Sequence, residues 1–146
     1  MKKKILVIGS GGHASSLIDL IESTKQFKII GIICDKRKKG DKFLRYKILG
    51  DDKYLKSLKR DKPYVSLGFS LYKNLSVYKK KYLAIEKMGF KIPKIISPFA
   101  YVSKSANLND GVNIFHGVII NNNCKIGKGV TINSKTLIEH DCKIDS

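Results

Sequence analysis

A chain of 146 residues with 42% hydrophobic content is long enough for one domain, or for two small ones with their own cores. It contains no 18-residue apolar run, which excludes a transmembrane helix, and "ILVI" behind the basic start is too short for a secretory signal. The net charge of +17 comes mostly from scattered lysines, and Arg37, Arg45 and Arg60 are the only arginines, so small phosphorylated substrates rather than nucleic acid are the expected partners.

In chain order, "KILVIG" (Lys4–Gly9) predicts a buried strand and "ASSLIDLIEST" (Ala14–Thr24) an amphipathic helix with Leu17, Ile18 and Ile21 on one face. "KIIGIICD" (Lys28–Asp35) predicts a second strand. Asp51 and Asp52 can cap a short helix carrying Tyr54, Leu55 and Leu58. "YVSLG" (Tyr64–Gly68) reads as a third strand, Leu71–Met88 as a long helix ended by Gly89, and "KIPKII" (Lys91–Ile96) as a fourth strand. This α/β order implies a small Rossmann-like parallel sheet domain over residues 1–96.

The pattern then changes. From Ala100 the chain reads AYVSKS, ANLNDG, VNIFHG, VIINNN, CKIGKG, VTINSK, TLIEHD, CKIDS. Each block opens on a small residue, and its third position is always aliphatic, from Val102 to Ile144. A period of six does not keep to one face of a helix with 3.6 residues per turn. It suits a triangular coil in which the aliphatic residue points inward and Gly, Asn, Asp or Lys makes the turn between faces. Residues 97–146 are therefore expected to form a second domain, with Val102, Ile120 and Ile138 stacked in one ladder, Leu108, Ile126 and Ile144 in another, and Ile114 and Ile132 in a third. Cys124 and Cys142 would stack too, as packing residues. Three cysteines in this pattern imply reduced thiols and a cytoplasmic protein, and neither they nor the three histidines have metal-ligand spacing, so no metal is expected.

"GSGGHA" (Gly9–Ala14) lies between the first strand and the first helix, where small residues let backbone N–H groups approach a phosphate. Gly9, Gly11 and Ala14, with Asp35 after the next strand, also satisfy a loose dinucleotide fingerprint, which leaves an NAD-binding oxidoreductase as one reading. About 96 residues are few for two mononucleotide-binding halves, and glycines that merely make a tight turn are a further alternative.

A glycine–histidine loop before a small sheet domain, followed by hexads, resembles the bacterial sugar O- or N-acyltransferases of the sialic acid O-acetyltransferase and UDP-4-amino-sugar N-acetyltransferase type. The resemblance implies a left-handed parallel β-helix that forms a homotrimer, a sheet domain that binds the nucleotide sugar, and acetyl-CoA as cosubstrate between adjacent prisms. On the family pattern, Gly9, Gly11, Gly12 and His13 match the glycine–histidine loop. Asp35 and Lys36 match the acidic end of the second strand that meets the nucleotide, and Gly68 matches the glycine ending the third. "GFSLYKN" departs from the family at that point, which leaves the acceptor open. In "INSKTLIEHDC" (Ile132–Cys142), His140 falls on the general base, Asp141 on the adjacent carboxylate, and Asn133 and Glu139 on other polar positions. His116 matches no catalytic position and is read as a corner residue.

This trio suits the chemistry. Acyl transfer from a thioester needs a base with a pKa near the working pH, and a carboxylate on the other ring nitrogen would fix the tautomer and stabilise imidazolium. Family members continue for several more coils, which carry a second histidine and most of the acetyl-CoA wall. The expectation is therefore an acyltransferase with an incomplete β-helix, the alternative being a truncated remnant that binds a nucleotide sugar without turnover.

Overall fold

Ile5 to Ile8 are all apolar, and such a run is stable where a strand is covered on both faces. In the computed structural model, which describes residues 2–58, 60–69 and 75–146, it lies within β1 (Lys3–Ile8), with Ile5, Leu6 and Val7 wholly buried. The helix expected after the glycine loop is α1 (Gly12–Ser23), which buries Ala14, Leu17, Ile18, Leu20 and Ile21. β2 (Phe27–Ile33) runs parallel to β1 on one side, and β5 (Tyr64–Leu67) runs parallel to it on the other.

Between them, β3 (Lys42–Phe43) and β4 (Tyr46–Gly50) form an antiparallel hairpin that extends the sheet to the order β3-β4-β2-β1-β5. Apolar periodicity does not predict this hairpin, because its strands are short and rich in lysine. The sheet is therefore mixed at its edge rather than wholly parallel. α2 (Asp52–Ser57) starts where expected, the Asp51 carboxylate accepting from the Lys53 amide at 2.8 Å. α3 (Leu75–Lys87) ends at Gly89, whose amide donates to the Glu86 carbonyl at 2.8 Å and whose φ of 78° turns Phe90 N back to donate to Ile85 O at 3.2 Å. Residues 70–74, which include the expected start of this helix, lie outside the described residues.

The contacts divide the chain into units 1–92 and 93–146. The segment "KIPKII", read as one strand, is split by Pro93. Lys91 O still accepts from Val65 N at 3.0 Å and Ile92 joins the first core, but β6 (Ile95–Ile96) pairs with β9 (Asn113–Ile114) in the second unit. Ile96 stands six residues before Val102, so the hexads begin one block earlier than Ala100.

In the second unit each hexad contributes a two-residue strand. β7 (Tyr101–Val102), β10 (Ile119–Ile120) and β13 (Leu137–Ile138) form one parallel sheet. β8 (Asn107–Leu108), β11 (Lys125–Ile126) and β14 (Lys143–Ile144) form the second, and β6, β9 and β12 (Thr131–Ile132) the third. This is the partial left-handed parallel β-helix that the hexads imply. The three expected ladders stack, and Ile96 completes the third above Ile114 and Ile132. Ile114, Ile120 and Ile126 of the middle coil are fully buried, as are the small corner residues Val112, Val118 and Cys124. Cys142, on the last coil, is exposed. The sixth position of six successive hexads takes a left-handed backbone, at Gly111, Gly117, Asn123, Gly129, Lys135 and Asp141, which turns the chain from one face to the next.

Candidate functional sites

In the first unit, the carboxyl ends of the parallel strands open into a cleft of about 790 Å³, the expected place for a ligand in an open α/β sheet. It is lined by Gly9, Gly11, Gly12, His13, Asp35, Lys36 and Gly68, all seven of the site residues expected in this unit. The glycines differ in kind. Gly9 has φ of 111°, and a Cβ there would stand 3.0 Å from the Gly68 carbonyl oxygen. A Cβ on Gly68 would meet the Ala14 Cα at 2.9 Å. Both are needed for β1, β5 and α1 to converge. At Gly11 and Gly12 an added Cβ would meet nothing within 4 Å, and Gly11 caps α1 without a side-chain hydrogen bond, so the helix N-terminus faces open space. His13 is half-buried, and burial pushes its pKa down, favouring the neutral ring.

Sequence reasoning missed the residues that tie this loop to β2. Ser10 Oγ lies 3.0 Å from Cys34 Sγ, the Lys36 amide donates to the same sulfur at 3.3 Å, and Arg37 Nε donates to Ser10 Oγ at 3.2 Å. The Arg37 guanidinium also lies 5.2 Å from the Phe43 ring centroid. The available signal was that Arg37 is the one arginine in the run from Lys36 to Lys39. Asp52 and Lys81, ion-paired to each other, line the same cleft.

In the second unit, His140 and Asp141 lie at the turn after β13. His140 Nδ1 is 2.7 Å from Asp141 Oδ2, the geometry of an orienting carboxylate, and this leaves Nε2 to take a proton. The hydrogen bond to Asp141, and then its charge, raises the His140 pKa. The Asp141 carboxyl is held below the usual range by the bond from His140 and by a second one from Asn123. Glu139 is held by Asn121, whose Nδ2 donates to Oε2 at 2.9 Å. Asn133 is exposed one hexad earlier, where its carbonyl accepts from Thr136 Oγ1 at 2.7 Å. His116, the contrasting corner residue, pairs through Nδ1 with the buried Ser97 hydroxyl at 2.6 Å. Among the described residues no three His, Cys, Asp or Glu side chains converge as a metal-binding group.

Residues 4–70 match the family described as the PglD N-terminal domain. Over 98% of its length the chain superposes, with TM-score 0.87 and 25% identity, on 66% of a mutant perosamine N-acetyltransferase from Caulobacter crescentus in complex with CoA and GDP-perosamine. PerB from Caulobacter crescentus, also with CoA and GDP-perosamine, gives TM-score 0.84 and 27% identity, with 96% of this chain and 64% of that one covered. The acetyltransferase domain of PglB from Neisseria gonorrhoeae FA1090, in complex with acetyl coenzyme A, shares the fold at TM-score 0.86 and 24% identity, with 100% and 69% covered. The chain thus spans just under two thirds of the Caulobacter proteins it matches. The fold and the matches define a PglD-type sheet domain followed by a hexapeptide-repeat coil. The resemblance to the bacterial sugar acyltransferases, expected from the glycine–histidine loop and the hexads, is borne out.

Proposed function

We propose that this chain acts in an acetyl-CoA-dependent acyltransferase that modifies the amino or hydroxyl group of a nucleotide sugar, in surface-polysaccharide, glycan or sialic acid biosynthesis in the cytoplasm. The observation that carries this reading is the His140–Asp141 pair, set by a hexad turn and 2.7 Å apart, in a chain whose other unit presents the glycine-loop cleft. Support comes from the Caulobacter relatives, which hold CoA and GDP-perosamine.

Bound acetyl-CoA would supply the activated thioester. His140 Nε2 takes the proton from the acceptor's nitrogen or oxygen as that atom attacks the carbonyl carbon. Asp141 holds the resulting imidazolium, which returns the proton to the departing thiol sulfur. In the sheet unit, the open N-terminus of α1 at Gly11 and Gly12, with Lys36 beside it, suits the diphosphate. Asp35 suits a hydroxyl or base edge of the nucleoside. Asn133 and Glu139 are proposed as further substrate contacts. The proposed homotrimer would use the outward column Tyr101, Ile119 and Leu137, which is exposed and apolar on one face of the prism.

The test is thiol release from acetyl-CoA with UDP- or GDP-amino sugars and sialic acid as acceptors. Release that a His140→Ala variant abolishes supports the proposal. Nucleotide-sugar binding with no turnover would assign the chain to the remnant reading, and NADH binding without nucleotide-sugar affinity would overturn both.

A further inference from the structure

The asparagine run Asn121, Asn122 and Asn123 stands one coil before Glu139, His140 and Asp141, and three hydrogen bonds join the two triplets. Asn121 Nδ2 donates to Glu139 Oε2 at 2.9 Å, the Asp141 amide donates to Asn122 O at 3.0 Å, and Asn123 Nδ2 donates to Asp141 Oδ1 at 3.1 Å. Both Asp141 oxygens are therefore engaged, Oδ1 by Asn123 and Oδ2 by His140. A carboxylate tied through one oxygen can swing about its side-chain torsions. Tied through both, it holds its partner imidazole in one orientation.

Asn123 and Asp141 have φ of 61° and 59°, so their side chains leave equivalent turn positions one coil apart. Gly111, Gly117 and Gly129 occupy the same position in other hexads, so the turn itself does not require an amide. Asn123 is anchored in its turn by the preceding coil, where Ser105 Oγ accepts from its backbone amide at 3.0 Å.

We infer that Asn123 is a positioning residue for the proposed acyl transfer: it locks Asp141, and through Asp141 the His140 ring, while Asn121 does the same for Glu139. This rests on the reading of His140 as the base. The charged groups that act on His140 are Asp141 and Glu139, and the preceding coil carries uncharged asparagines at the matching positions.

The experiment is an NMR pH titration of the His140 imidazole in the full chain, comparing wild type with Asn123→Gly, which keeps the left-handed turn and removes only the amide. The His140 midpoint should fall toward that of an ordinary imidazole, and Asn121→Ala should move it less. Asn123→Ser, too short to reach Asp141 Oδ1, should act like Asn123→Gly and serves if the glycine variant loosens the coil. In the acetyl-transfer assay Asn123→Gly should lower kcat roughly 10-fold or more, within the ~10²-fold cost of a misplaced catalytic group, with KM for the sugar unchanged. An unchanged His140 midpoint in the folded variants overturns the positioning role. Absence of acetyl transfer by the wild-type chain would count against the proposed reaction instead and would leave the titration readable.

Discussion

His140 is tuned by a neighbour rather than by burial, since 67% of its side chain is exposed and its pKa is nonetheless raised by the bond to Asp141. A general base works in its neutral form. The rising limb of the pH–rate profile should therefore lie above the ordinary imidazole value of about 6.5. Asp141→Asn should shift that limb to lower pH and cut the rate by roughly 10²–10⁴-fold, which stopped assays across pH would read. The same pair sets a small pH dependence of stability. The raised histidine contributes below its unfolded pKa, a contribution lost as pH rises through the folded value. The lowered aspartate contributes above its unfolded pKa, a contribution lost as pH falls through its folded value. The pair thus favours the fold most between about pH 4 and 6.5. His140 and Asp141 were legible from sequence because they are adjacent in it. Their ties to Asn121 and Asn123 were not read, although an 18-residue coil places "NNN" over "EHD" once stacking is applied rung by rung.

At the scale of elements, one ladder position and one loop separate structure from binding. Ile120 is fully buried between Val102 and Ile138, so Ile120→Ala should cost about 2–5 kcal/mol in denaturant unfolding, whereas Lys125→Ala, exposed on the polar outer face, should stay within about 0.5 kcal/mol. In the sheet unit, Gly68→Ala would drive a Cβ into the Ala14 backbone and should destabilise by about 1–3 kcal/mol. Gly11→Ala meets open space, so it should leave stability within about 0.5 kcal/mol and weaken nucleotide-sugar binding in calorimetry. The sequence pattern marked both as site glycines, Gly11 in the glycine–histidine loop and Gly68 at the end of the third strand. Only the approach of β1, β5 and α1 divides them into one that the fold needs and one that leaves space for a ligand.

At the scale of the whole molecule, the faces of the β-helix are unequal. Tyr101, Ile119 and Leu137 form an exposed apolar column, while Asn107, Lys125 and Lys143 form a polar one on another face. If the apolar column is the proposed trimer contact, Ile119→Lys should shift sedimentation from trimer toward monomer without changing the far-UV spectrum.

What the sequence determined by itself was whatever repeats or lies close along the chain: the six-residue register, the inward ladders, the glycine loop and the Glu-His-Asp trio. Hydrophobic period and turn chemistry are local properties and survive without coordinates. The tertiary structure alone decided the lysine-rich edge hairpin, the division of "KIPKII" at Pro93, the ties of Ser10, Cys34 and Arg37, and the hold of Asn123 on Asp141. Each depends on contacts between residues brought together by folding, and their identity is set by which backbones approach closely enough to exchange hydrogen bonds or exclude a Cβ.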